Sequence, residues 1–263
     1  MEYIVIAISA FATSLLTLYT GFGLGTLLLP VFVIFYPIEI AVVATAVVHF
    51  SNNVFKAASM GRNADHDLVW QFGLPAVMAA FAGAALLGVL TSSQTTIMTY
   101  ALGRYACTVT PFKLIMALIM VCMAMIEFHP RLRTLSFERR HLLLGGLLSG
   151  FFGGLSGHQG ALRATFLSKT GVSTAAFVGS SALIGLMVDA ARLLVYGGMA
   201  RTGILDTVWD FGSSGLVLTG VGMAWLGVIT GKRFLHKVTM VWVQNLTGTF
   251  LLIIALALGL GIL

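Results

Sequence analysis

Apolar runs near or above ~20 residues recur along this chain, the length a helix needs to cross a bilayer. They are read at 3–20, 22–36, 40–60, 69–91, 106–127, 141–157, 160–196, 210–230 and 238–262. The second is short, and the seventh is interrupted near Thr170 and Gly171. Counting only full-length crossings gives about eight. Charged residues make up 9% of the 263 residues and hydrophobic ones 58%, whereas a soluble domain carries about 25% charged residues. An ordinary aqueous surface is excluded. The expected fold is all-α, a polytopic membrane bundle forming one domain over 1–263 with no soluble unit appended.

The net charge of +6 does not point to nucleic acid. The basic residues concentrate in short connections, "RLRTLSFERRH" (131–141) and "GKRFLHK" (231–237). Such loops orient membrane proteins, and they place the 129–141 connection in the cytoplasm. Arg104 and Lys113 read as interfacial anchors. The N-terminus, "MEYIVIAISAFATSLL", has an acid where a signal sequence carries basic residues, so it reads as a first membrane segment. Cys107 and Cys122 lack ligand spacing and read as packed thiols. No cofactor and no metal site is expected.

The two halves resemble each other. Thr45 and Ser181, Asn53 and Asp189, Lys56 and Arg192, and Gly61 and Gly197 are each separated by 136 positions. Gly73, Gly83 and Gly88 match Gly212, Gly222 and Gly227 at a separation of 139, and Gly25 matches Gly160 at 135. These offsets predict two homologous repeats, about 1–128 and 140–263, joined by the basic loop 129–139. Duplication of this kind is how secondary transporters are commonly built, with the substrate held between repeats near mid-membrane. The uncharged 91–99 loop against the basic 231–237 loop leans towards inverted repeats.

Each repeat contains a glycine-rich interruption, "TGFGLGTLLLP" (20–30) and "GGLSGHQGALR" (153–163). Glycine lowers helix stability by about 1 kcal/mol relative to alanine and proline by about 3. Irregular backbone at membrane depth persists only where protein or a wet cavity satisfies it, and a half-helix N-terminus there favours an anion. The alternative is close helix packing through small residues. Thr20, Gly21, Gly23, Gly25 and Thr26 are candidates from the first break. Gly157, His158, Gln159, Gly160 and Arg163 are candidates from the second.

His49, Asn52, Asn53 and Lys56 fall at i, i+3, i+4 and i+7, on one face of a helix. Ser181, Gly185, Asp189, Arg192 and Tyr196 form the matching stripe in the second half. A charge at a helix centre costs on the order of 2.5–3.5 kcal/mol, and such residues usually face a cavity or a partner. Lys56 and Arg192 lie near segment ends, so snorkelling to the interface is the competing reading. Asp189 is too short for that, and it can pair with Arg192 at i, i+3. His49 and His158 could carry protons near neutral pH. Ser181 completes the candidate set for substrate contact.

Over "GFGLGTLLLPVFVIFYPIEIAVVATAVVHFSNNVFK" and "GFFGGLSGHQGALRATFLSKTGVSTAAFVGSSALIGLMVDAARLLVYG" the chain resembles the TauE/SafE family of sulfite and organosulfonate exporters. The likeness extends in order over nearly the full length. It implies a multi-pass carrier of the bacterial inner membrane that moves small anions of oxidised sulfur, often outward. Two cations and several amides suit a sulfite or sulfonate, whose oxygens accept several hydrogen bonds. The expected function is therefore alternating-access transport of such an anion, with protons as a candidate coupling ion. The partners expected are that anion and the bilayer, with a homodimer left open. An anion channel, or a carrier of another small carboxylate or oxyanion, is the alternative. No "HExxH" or "GxSxG" pattern and no cysteine–histidine cluster argues for an enzyme.

Overall fold

Helix boundaries follow the punctuation of the chain. The computed structural model describes residues 1–18, 24–92, 95–103, 105–133, 136–168, 170–198, 211–234 and 240–263. The elements are α1 (Glu2–Thr17), α2 (Leu24–Phe35), α3 (Ile38–Met60), α4 (His66–Ser92), β1 (Met98–Leu102), β2 (Tyr105–Val109) and α5 (Pro111–Phe128). They continue with the single turn α6 (Pro130–Arg133), α7 (Leu142–Ser156), α8 (Gly160–Leu167), α9 (Thr174–Gly198), α10 (Phe211–Phe234) and α11 (Met240–Gly259). The expected interruption near Thr170 is present: α8 stops at Leu167, Gly171 has φ 78°, and α9 starts at Thr174.

One element departs from an all-helical reading. Strands β1 and β2 form an antiparallel hairpin, with Met98 opposite Val109 and Leu102 opposite Tyr105. The apolar run from 106 had merged β2 with the helix after it. Tyr105, Thr108 and Val109 favour a strand, and Pro111 belongs in the first turn of a helix. Thr110 caps α5 by accepting from the Lys113 backbone N–H at 3.2 Å. The hairpin is tied to the C-terminus, where the Thr108 N–H donates to the Gly261 carbonyl at 3.0 Å and the Tyr100 hydroxyl donates to the Leu260 carbonyl at 2.6 Å.

Among the described residues five stretches are long and apolar enough to cross a membrane: Ile38–Asn63, His66–Ser92, Pro111–Phe128, Thr174–Gly198 and Ser214–Gly231. Glu2–Thr17, Leu24–Phe35 and Gln244–Gly259 are apolar but shorter. At 1.5 Å per residue, α2 spans only about 18 Å and α8 about 12 Å. Polarity is inside out relative to a soluble protein. Met78, Leu118, Leu143 and Leu194 are exposed, whereas His49, Lys56, Arg163, Asp189 and Arg192 are buried.

The helices have two distinguishable ends. Glu39, Leu90, Thr110 and Lys113 line one cavity beside the β-hairpin, and Tyr36, Pro37, Lys113 and Leu263 line another. The start of α3, the end of α4 and the start of α5 therefore share the hairpin end. At the opposite end the basic connection is anchored. Arg139 pairs with Asp65 at 3.2 Å and donates to the Thr170 carbonyl at 3.2 Å, and Phe137 stacks on Phe166 at 4.4 Å. The start of α7 and the end of α8 thus lie together at this basic end, so α7 and α8 enter and return on the same side. Helix α10 runs parallel to α3, since Gly220 packs on Val48 and the Trp225 indole donates to the Ser51 carbonyl at 3.2 Å. Helix α1 runs parallel to α10, Tyr3 lying over Gly215 and Phe11 over Gly227. Helices α1 and α2 therefore enter and return at the hairpin end.

Small residues also pack helices closely here. A Cβ on Gly146, Gly150 or Gly154 of α7 would fall 2.4, 2.0 or 2.1 Å from the carbonyls of Phe72, Ala76 or Ala80 on α4. Glycines at i, i+4 and i+8 thus bring two backbones together, a common device between membrane helices.

Candidate functional site

The break between α7 and α8 requires its glycine. Gly157 has φ 81°, a left-handed conformation that ends α7, and its N–H donates to the Gly153 carbonyl at 3.0 Å. A Cβ there would also lie 2.9 Å from the Arg192 guanidinium. His158 follows, its Nδ1 3.0 Å from the Ser156 hydroxyl, and Gly160 opens α8. From the first half of the chain, Gly25 near the start of α2 comes so close that a Cβ would sit 3.3 Å from the Gly157 carbonyl oxygen and 3.5 Å from the His49 ring. Thr26 is buried on α2. Thr20, Gly21 and Gly23 lie outside the described residues.

Asp189, fully buried on α9, is the hub of a polar network at this meeting point. Its Oδ2 lies 2.6 Å from His49 Nδ1 and accepts from Asn53 Nδ2 at 2.8 Å. Its Oδ1 accepts from Gln159 Nε2 at 2.9 Å and pairs with Arg192 at 2.8 Å. Gln159 in turn accepts on Oε1 from Arg163 at 3.1 Å. Four elements, α3, α8, α9 and the break itself, are thereby joined through one carboxylate. A buried carboxylate needs such compensation, because leaving it unpaired costs several kcal/mol.

Next to this network is a cavity of about 10 Å³, the space of about one water molecule. Thr17, His49, Asn53, Lys56, Arg163 and Ser181 supply its polar lining. Lys56 is 6% exposed and meets no carboxylate among the described residues. The Ser181 hydroxyl is buried with no hydrogen-bond partner among them. Among the described residues the cations Lys56 and Arg163 line the cavity, whereas Arg192 pairs with Asp189.

The chain matches the family model of the sulfite exporter TauE/SafE over residues 6–258. It belongs to that family. The TauE/SafE family is a family of membrane transporters, and the buried polar site and apolar exterior of this member are those of a multi-pass membrane protein. Comparison with curated proteins and with solved structures gave no match.

Most of the residues expected at the site in this TauE/SafE member converge, with different assignments. Arg192 is not among the residues lining the cavity; its Nη1 donates to the Gly153 carbonyl at 3.3 Å. Asn52 turns to α1, where its Oδ1 accepts from the Ser14 hydroxyl at 3.0 Å. Arg163 takes the cavity position beside Lys56. Sequence reasoning passed over Ser14, Thr17 and Ser149, whose hydroxyl donates to the Gln159 carbonyl at 2.8 Å. Thr13, Ser14 and Thr17 were visible as hydroxyls within an apolar first segment, a signal easily discounted because each can bond its own helix backbone.

Proposed function

We propose that this chain is a secondary transporter carrying small sulfur-containing anions, sulfite, sulfoacetate or related organosulfonates, outward across the bacterial inner membrane. The observation that carries the reading is the buried Lys56 at a small polar cavity, with no carboxylate partner among the described residues. Lys56 and Arg163 line it, while Asp189 is engaged by Arg192, His49, Asn53 and Gln159. Buried charge without compensation is unfavourable, and an oxyanion seated there, in a cavity widened beyond its one-water size, compensates Lys56 and accepts from the Ser181 hydroxyl.

Two inverted repeats, about 1–128 and 140–263, account for several observations together. Helices α2 and α8 start 136 positions apart, as do α3 and α9. The α1–α2 and α7–α8 pairs enter from opposite ends, and α4 packs on α7 as α10 packs on α1. Rocking of one repeat against the other around their shared site is the motion such an arrangement favours. The His49–Asp189 contact is where proton exchange would couple to that motion. The basic 129–141 connection faces the cytoplasm in this reading. A cysteine at Ser136 should then resist an impermeant reagent added outside intact cells, and ready labelling from outside reverses the orientation.

The deciding experiment is uptake and counterflow in proteoliposomes, with sulfite, sulfoacetate, taurine and simple carboxylates as substrates. Saturable exchange of a sulfur oxyanion, lost in Lys56→Ala and Arg163→Ala, is expected. Non-saturating conductance points to a channel, and exchange restricted to carboxylates rules out the substrate class.

A further inference from the structure

We propose that the Thr45 hydroxyl belongs to a second anion pocket, nearer the hairpin end, which forms when the pocket at Lys56 and Ser181 closes. This rests on the anion-site reading and the inverted repeats above. Thr45 is 1% exposed on α3, and its Oγ1 has no hydrogen-bond partner among the described residues. Ser181, 136 positions further on, is 2% exposed on α9, and its hydroxyl is unpartnered among them as well. A buried hydroxyl without a partner is costly, and a helix offers a remedy in the carbonyl one turn back. Thr13, Thr91, Thr165, Thr219 and Thr249 all use it, donating to the carbonyl four residues before them at 2.6–3.0 Å. Thr45 and Ser181 leave that bond unmade.

The packing of α3 on α9 gives the two hydroxyls matched surroundings. These helices run antiparallel. A Cβ on Gly179 would lie 2.6 Å from the Met60 carbonyl oxygen, one on Gly185 would lie 2.7 Å from Asn53 Nδ2, and His49 meets Asp189 at 2.6 Å. Continuing this register puts Lys56 level with Ser181, and Thr45 level with Arg192. Lys56 and Ser181 do line one cavity. Thr45 is not among its lining residues, and Arg192 Nε has no hydrogen-bond partner among the described residues. Ser181 stands seven residues into α9 from Thr174, towards the basic end, and Thr45 seven residues into α3 from Ile38, towards the hairpin end. Each is therefore about 10 Å from its own end, with the His49–Asp189 contact between them. A hydroxyl on one helix and a cation on the other thus recur on both sides of that contact.

Only one of the two positions is open in the conformation described. Lys56 and Ser181 have their cavity, whereas Arg192 is held by Asp189 at 2.8 Å and Thr45 is packed beneath α3 neighbours that are themselves buried. When inverted repeats exchange conformations, corresponding residues exchange surroundings. The surroundings of Ser181 then pass to Thr45, whose hydroxyl donates to the oxyanion from the hairpin side. The hydrogen bond missing in one conformation is the one made in the other.

The test is sulfite transport by the full-length protein, reconstituted in one orientation in proteoliposomes, with KM read from each face. Thr45→Val, nearly isosteric but without the hydroxyl, should raise KM at the hairpin face by about tenfold and leave the basic face near wild type. Ser181→Ala should do the reverse. Thr45→Ser, which keeps the hydroxyl, should match wild type at both faces. If Thr45→Val does not fold, Thr45→Ala is read at the same two faces. A hydroxyl with a packing role alone gives a different result: valine leaves KM unchanged at both faces and raises the unfolding midpoint, because it removes a buried polar group that has no partner. That outcome overturns the proposal. So does an equal rise in KM at both faces, or a serine variant as impaired as valine. Wild type without saturable sulfite transport from either face overturns the anion-site reading itself.

Discussion

Helices α3 and α9 carry corresponding polar residues 136 positions apart, yet they use them in opposite ways. On α9, Asp189 and Arg192 pair with each other at 2.8 Å, and both are fully buried. On α3 the corresponding residues are Asn53 and Lys56, and an amide cannot neutralise a lysine. Asn53 donates instead to Asp189 across the interface, and Lys56 is left facing the cavity. One helix pairs its two charges with each other; the other leaves one facing the cavity. The difference reduces to a carboxylate against an amide at one position, and under the proposed function it gives α9 a structural role and α3 a binding one.

Removing the shared carboxylate should break this arrangement most severely. Asp189→Ala leaves Arg192 buried without its ion-pair partner and should cost about 3–5 kcal/mol of stability, read as loss of folded, monodisperse protein or a lower unfolding midpoint. Asp189→Asn keeps the shape and some of the hydrogen bonds, so it should fold better than alanine and change anion affinity instead.

The two cation classes should then separate. Lys56→Ala and Arg163→Ala should weaken anion binding by about 1.5–3 kcal/mol, the range for hydrogen bonds to charged groups, while the protein stays folded. Arg192→Ala should act mainly on stability. Titration of sulfite against each purified variant, beside its unfolding curve, checks both. Equal loss of affinity in Arg192→Ala and Lys56→Ala, with stability unchanged, would erase the distinction between the helices.

Exchanging the difference sharpens it further. Asn53→Asp alone places a second carboxylate beside Asp189, because the Asn53 amide lies 2.8 Å from it. Combining it with Asp189→Asn moves the single carboxylate to α3. The double variant should be more stable than the sum of the singles by about 0.5–3 kcal/mol, the usual range for contacting pairs. Its anion binding should stay weak, because Lys56 would then have a carboxylate at i−3.

The smallest effect is expected at Gly185, the α9 counterpart of His49. A Cβ there would lie 2.7 Å from Asn53 Nδ2 and 3.2 Å from Arg163 Nη1. Gly185→Ala should therefore cost about 1 kcal/mol, seen as weaker anion binding. Gly222→Ala, with nothing within 4 Å of the added carbon, should leave binding unchanged.

Much of this molecule was legible in its residues because membrane folding exposes simple periodicities. Spacing at i, i+3, i+4 and i+7 placed His49, Asn52, Asn53 and Lys56 on one helical stripe, and all four are buried together on α3. The clustered glycines located the break at Gly157, since only a residue tolerating a left-handed backbone ends α7 there. The β-hairpin was missed because hydropathy does not distinguish a short apolar strand from the first turns of a helix.

The sequence by itself determined that the chain is a membrane protein, that the helix before His158 ends at a glycine, and that the polar stripe of α3 is buried. Each of these depends on local composition or on spacing within one helix. Only the tertiary structure decided which cations face the cavity. Arg192 and Arg163 are both buried arginines, and their roles differ because Asp189 reaches one directly while Gln159 stands between it and the other. Whether a charge is compensated depends on groups brought together from segments more than a hundred residues apart, as His49 and Asp189 are. Periodicity fixes the face on which a charge lies; packing fixes what stands opposite it.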